Sequence, residues 1–156
     1  MKEVTCKLIE IIWKGPYNLT EARKNYQDSG LYQIYGTHPV YGRDSLLYLG
    51  KTKNSFGERI NSHLEEWIKY EYDDVKIYHG IIETKIDSDL DITTTIAEKL
   101  LIYYCAPGYN SNEIADLKIN RQENIVLLNY GKIGSLPPEV SNLWYNSSIW
   151  DKISSK

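Results

Sequence analysis

Two stretches of helical periodicity set among short β-branched runs constrain this chain more than any other feature. Over residues 55–70, Phe56, Ile60, His63, Leu64, Trp67 and Ile68 recur at spacings of three and four, and Asn54 or Ser55 can cap the free amides at the start. Residues 91–105 carry a second such pattern, with Ile92, Ile96, Leu100, Leu101 and Tyr104 on a core face, Asp91 as cap and Ala106-Pro107-Gly108 as stop. Around these helices the runs 4–13, 31–35, 45–49, 75–84 and 125–128 read as strands. Gly15-Pro16 would stop the first, and a wide turn through Gly36, Pro39 and Gly42 would join the second and third as an antiparallel pair. Asn18 can cap a short helix over 19–27, and the tail from Ser135 reads as irregular. This order predicts a mixed α/β fold of the α+β kind, a small, mainly antiparallel central sheet flanked by helices.

A chain of 156 residues with 42% hydrophobic content and no repeat, linker or low-complexity stretch is expected to form one domain over 1–156. Disordered and coiled-coil chains are excluded by that composition. No run approaches the roughly 20 apolar residues of a membrane span. Lys7 and Glu10 interrupt any secretory leader, so the expected location is the cytoplasm, away from membranes. Cys6 and Cys105 are too few for a disulfide framework and are expected to be buried free thiols.

The net charge of −3 argues against a wholesale basic nucleic-acid binder, but the surplus acid is local. Glu65-Glu66, residues 71–74 and residues 87–91 carry most of it and read as a solvated face, which leaves a basic or neutral face elsewhere. Aromatic content is skewed to 14 Tyr and 4 Trp against one Phe. Such rings either finish a core with one wet tip or, as phenols, do chemistry.

Several polar residues stand where a helix or strand should be apolar. Glu98 lies beside Leu101, Ile102 and Cys105 at helical spacings, so its carboxylate either pairs with a cation or holds a metal. Arg59 and His63 are four apart and share a helix face. Arg59 sits near a helix start, where negative charge is favoured, and calls for an anion: a phosphate, or a carboxylate such as Glu58 or Glu98. His63 among Ile60, Leu64 and Trp67 is either a satisfied half-buried ring or a catalyst. Tyr32 and Tyr48 read first as cross-strand packing, and Asn110 as turn chemistry beside Pro107 and Gly108. His38 and His79 have no partner at metal spacing, and no zinc, phosphate-loop, nucleophile-elbow or dinucleotide motif occurs.

Taken in order, Gly30-Leu31-Tyr32, Tyr48-Leu49-Gly50, Lys51-Thr52-Lys53, Arg59 with His63, Glu98 and Asn110 resemble the motif set of the GIY-YIG nuclease family over residues 30–110. Leu31 and Leu49 stand where the family tripeptides have Ile, a volume-conserving change, and the segment 33–47 is long for the family. The resemblance implies a one-metal phosphodiesterase. Glu98 would be the sole protein ligand of one Mg²⁺ or Mn²⁺, with water and phosphate oxygens completing the shell. Arg59 would hold phosphate oxygens, and Lys51 would add charge or help deprotonate a phenol. Tyr32 and Tyr48 would flank the attacking water, one acting as general base assisted by His63, and Asn110 would orient the site.

A chain of this size resembles the small restriction endonucleases of the family. That implies site-specific hydrolysis of double-stranded DNA to 5′-phosphate and 3′-hydroxyl ends, with a homodimer as one working form. The flanks 1–29 and 122–156, including Trp144, Tyr145 and Trp150, would then contact the groove or a second subunit. The alternatives are a phage or mobile-element nickase or homing-type nuclease, and a catalytically silent DNA-binding module on the same scaffold. A regulatory protein-interaction domain is a third class, motivated by the acidic face alone.

Overall fold

Strand pairing in this computed structural model starts from Lys7, and residues 5–71, 74–84, 86, 89–111 and 123–143 are described. The elements are β1 (Lys7–Tyr17), α1 (Leu19–Ala22), β2 (Gly30–His38), β3 (Gly42–Thr52), α2 (Phe56–Glu66), a 3₁₀ turn (Ile68–Tyr70), β4 (Lys76–Ile82), α3 (Leu90–Cys105), β5 (Ile125–Gly131) and β6 (Glu139–Ser141). The six strands make one sheet in the order β3-β2-β4-β1-β5-β6. Neighbours run antiparallel throughout except β1 and β5, which are parallel. The architecture is the expected α+β one, with a mixed rather than strictly antiparallel sheet.

Alternation along each strand sorts side chains onto two covered faces. On one, Ile9, Ile11, Trp13, Leu31, Leu49 and Leu127 pack against Ala97, Leu100 and Leu101 of α3. On the other, Tyr32, Ile34 and Ile77 pack against Phe56 and Ile60 of α2 and Ala22 of α1. Taking a ring such as Phe56 fully out of water stabilises the fold by about 2–3 kcal/mol. Gly30 enters β2 at φ +145°, and a Cβ there would stand 2.4 Å from the Gly80 carbonyl oxygen, so only glycine lets β2 and β4 close up at that point.

Several local expectations are corrected. β1 does not stop at Gly15-Pro16 but continues to Tyr17 through a register shift against β4, because a bulge absorbs the proline that a regular ladder would reject. The turn between β2 and β3 is tight, with both strands extending to leave only residues 39–41 between them. The expected helix over 19–27 is a single turn, Leu19–Ala22, and that over 55–70 ends at Glu66 before the 3₁₀ turn. In α3 the cap is Asp89, whose side chain accepts from the Asp91 and Ile92 amides at 2.9 and 3.1 Å, so Asp91 lies inside the first turn.

The buried face of α3 is also rotated from the expected one. Thr93, Thr94 and Ala97 are buried while Ile92 and Tyr104 are exposed. Each threonine hydroxyl donates to a carbonyl one turn back, which satisfies it and allows burial. Cys6 is exposed and Cys105 only half-buried, against the expectation for both; burial still pushes the Cys105 thiol up to about 11. Trp144, Tyr145, Trp150, and the acidic residues 73 and 87 lie outside the described residues. No helix among the described residues is long and apolar enough to cross a membrane.

Candidate functional site

Hairpin β2-β3 carries three of the expected residues, Tyr32 and Tyr48 on one face and Lys51 on the other. In its register Tyr32 faces Gly50 and Ile34 faces Tyr48, so the two phenols are diagonal neighbours on one face, their rings stacked at 6.1 Å. Gly50 is needed opposite Tyr32: a Cβ there would stand 2.5 Å from the Tyr32 hydroxyl. The hydroxyl therefore lies over the backbone of β3, which is the edge strand of the sheet.

Helix α2 covers this face and brings Arg59 and His63. Ser55 caps it by accepting from the Glu58 amide at 3.2 Å, which fixes the first turn and aims the i and i+4 side chains at the sheet. Arg59 Nε donates to the Tyr32 hydroxyl at 3.2 Å, and His63 Nε2 lies 2.7 Å from the same oxygen. Tyr48 meets the His63 ring edge-on at 4.8 Å. Four expected residues thus form one cluster. Of the two anions weighed for Arg59, no carboxylate among the described residues pairs with it.

Burial divides the roles available to these groups. Tyr32 is 0% and His63 2% exposed, whereas Tyr48 and Arg59 are half-buried. Burial raises the Tyr32 hydroxyl well above the ordinary phenol range, with the Tyr48 phenol adding to the rise and Arg59 opposing it. His63 is pushed down to about 4 by burial first and the Arg59 charge second, so it is uncharged at neutral pH. Tyr48 and Arg59 are the members of the cluster with access to solvent.

Lys51 and Glu98 sit across the edge of β3. Alternation turns Lys51 to the face covered by α3, and its Nζ lies 3.5 Å from a Glu98 carboxylate oxygen, with the two side chains 26% and 17% exposed. Lys51 also donates to Thr95 Oγ1, which itself donates to the Asp91 carbonyl. Glu98 acts electrostatically on Tyr32, so the two groups of residues share one field at the sheet edge. A cleft of about 180 Å³, lined by Gly30, Thr52, Lys53, Asp91 and Thr94 among others, opens beside them at the start of α3.

Asn110 touches neither group. Its Oδ1 accepts from the Leu49 amide and its Nδ2 donates to the Leu49 carbonyl, both at 2.9 Å. Gly108 and Tyr109 amides donate to the Leu46 and Leu47 carbonyls, so the loop after α3 completes the open edge of β3. The residue braces the strand that carries Tyr48 and Lys51.

A hard cation fits the donor chemistry of Glu98, an oxygen-donor carboxylate whose side chain is 17% exposed and lies beside Lys51. Among the described residues no group of three or more His, Cys, Asp or Glu could hold a metal.

Sequence reasoning missed two contributors. Gly50 was seen only as part of a tripeptide, and Trp67 only as an apolar repeat, although Trp67 is four residues from His63 and its indole N–H donates to His63 Nδ1 at 3.1 Å. The i, i+4 spacing was the available signal. Compared with protein families, curated proteins and solved structures, the chain matches none.

Proposed function

We propose that this protein is a metal-dependent endonuclease that hydrolyses phosphodiester bonds of double-stranded DNA at specific sites, in the manner of the GIY-YIG nucleases it resembles. The observation that carries the proposal is the convergence of Tyr32, Tyr48, Arg59 and His63 in one hydrogen-bonded cluster beside the Lys51–Glu98 pair. Four side chains from β2, β3 and α2 meet with their polar ends together on one face, and Lys51 and Glu98 pair across the same edge strand.

In this mechanism Arg59, half-buried and without a carboxylate partner among the described residues, binds the non-bridging oxygens of the scissile phosphate and stabilises the charge that builds on them. Tyr48, the solvent-reaching phenol, orients the attacking water. As the new P–O bond forms and the bond to the 3′ oxygen breaks, water gives its proton to the Tyr48 oxygen, which has first lost its own proton to solvent, and the departing 3′ oxygen takes a proton from solvent. Tyr32 accepts an N–H from Arg59 and, with the His63 proton on Nε2, a second from His63, and this network supports negative charge on the phenol pair. Lys51 adds a second positive charge at the sheet edge. A Mg²⁺ or Mn²⁺ held by Glu98 would supply positive charge to the phosphate and to the leaving oxygen. The products would be a 5′-phosphate and a 3′-hydroxyl. Cytoplasmic location and a homodimer on DNA belong to the same proposal.

Plasmid DNA with Mg²⁺ tests the proposal. Wild type should nick or linearise it and Glu98→Ala should not. Equal cutting by both, or none by the wild type, would contradict it.

A further inference from the structure

Between α2 and the 3₁₀ turn, two groups of opposite demand meet at one nitrogen. Trp67 is the residue where α2 stops, with φ −145° and ψ −31°, and its amide still donates to the His63 carbonyl. That departure from helical geometry folds the indole back over the preceding turn, where its Nε1–H points at His63 Nδ1 over 3.1 Å. The Glu66 carboxylate stands 3.3 Å from the same Nδ1. An indole N–H can only donate, so it needs a lone pair on Nδ1, whereas a carboxylate can only accept and needs a proton there.

His63 is neutral and has one ring proton to place. The groups facing it are Tyr32 from β2, Tyr48 from β3, and Arg59, Glu66 and Trp67 from α2 and its end. If the proton is on Nε2, His63 donates to Tyr32 and the phenol oxygen accepts two N–H groups, one from Arg59 and one from His63. With the proton on Nδ1, the Tyr32 hydroxyl must donate to Nε2 and loses one of the two donors that favour negative charge on it. Trp67 is half-buried and so is its bond to Nδ1, while the Glu66 carboxylate is 57% exposed, where water competes for it.

We propose that Trp67 is a positioning residue: its indole N–H excludes the proton from Nδ1 of His63 and so keeps it on Nε2, directed at Tyr32, against the competing pull of Glu66. The catalytic meaning of this arrangement rests on the nuclease reading, whereas the proton placement does not.

Long-range ¹H–¹⁵N correlation of the His63 ring in labelled full-length protein at neutral pH reads the placement directly. Wild type should give a protonated Nε2 and a bare, hydrogen-bonded Nδ1. Trp67→Phe, which keeps an aromatic ring and removes the donor, should move protonation toward Nδ1, and adding Glu66→Ala should return it to Nε2. In DNA cleavage, Trp67→Phe should lower kcat about tenfold and alter the pH profile, with the double variant recovering part of the loss. A wild-type His63 protonated on Nδ1 overturns the proposal even if Trp67→Phe fails to fold. So does an unchanged tautomer in a folded Trp67→Phe. Correct tautomers without any DNA cleavage would instead overturn the nuclease reading and leave the proton placement standing.

Discussion

Asn110 brackets the Leu49 peptide with two hydrogen bonds of 2.9 Å, one to its amide and one to its carbonyl. Leu49 lies between Tyr48 and Gly50 on the edge strand, so a side chain from the loop after α3 sets the position of the phenol and of the glycine beneath Tyr32. Asn110→Ala removes both bonds and leaves a half-buried amide and carbonyl to solvent. The expected loss is about 1–3 kcal/mol, read from urea unfolding. Asn110→Asp keeps the acceptor but sets a carboxylate against the Leu49 carbonyl, and should be no better than Ala.

Gly50→Ala should cost about 1–3 kcal/mol, because the added Cβ would stand 2.5 Å from the Tyr32 hydroxyl and that ring has no room to retreat. Thermal unfolding measures the loss. Near-ultraviolet circular dichroism should change as well, as the Tyr32–Tyr48 stack is displaced.

Arg59→Ala should lower kcat for DNA cleavage by about 10²–10³, the scale for losing one donor aimed at developing charge. Arg59→Lys restores a charge but not the planar fork, and should recover only part of the rate. Gel-based single-turnover assays distinguish the three proteins.

Acid should destabilise the fold through its buried histidines. His63 and His79 are both pushed down to about 4, His63 by burial and Arg59, His79 by burial. Their unfolded value is near 6.5. Above that pH neither state is protonated and the contribution is constant. Between about 6.5 and 4 only the unfolded state takes up the proton, so stability falls as pH drops. His79→Phe removes a ring whose Nε2 finds no partner among the described residues and which stacks on Phe56 at 4.0 Å. The difference between urea midpoints at pH 8 and pH 5 should shrink in that variant.

The elements were legible wherever one period dominated. Residues 55–66 show helical spacing and Ser55 caps them, so α2 and the Arg59–His63 face follow from the sequence. The rotation of α3 did not follow, because apolarity favours burying Ile92, while Thr93 and Thr94 become buriable only once their hydroxyls bond back to the helix. β6 was lost in a tail rich in proline, since a strand of three residues carries too little pattern to be seen. At the site, Tyr32, Tyr48 and Asn110 each have a bland local explanation in the sequence, and only the structure shows Tyr32 and Tyr48 meeting Arg59 and His63. The role of Gly50 depends on a contact across the hairpin that no spacing rule encodes, whereas Trp67 stands at the i, i+4 spacing from His63 that brings the two together.

Capture of the ends left on DNA tests the central claim most directly. Supercoiled plasmid incubated with the full-length protein and Mg²⁺ should yield breaks bearing 5′-phosphate and 3′-hydroxyl, which a ligase reseals or joins to adaptors, at recurring sequences. Glu98→Gln, which keeps the size of the side chain and removes its charge, should give none, as should wild type with a chelator. Absence of breaks with the wild type, or the same breaks with Glu98→Gln, would contradict the claim that this cluster hydrolyses phosphodiester bonds.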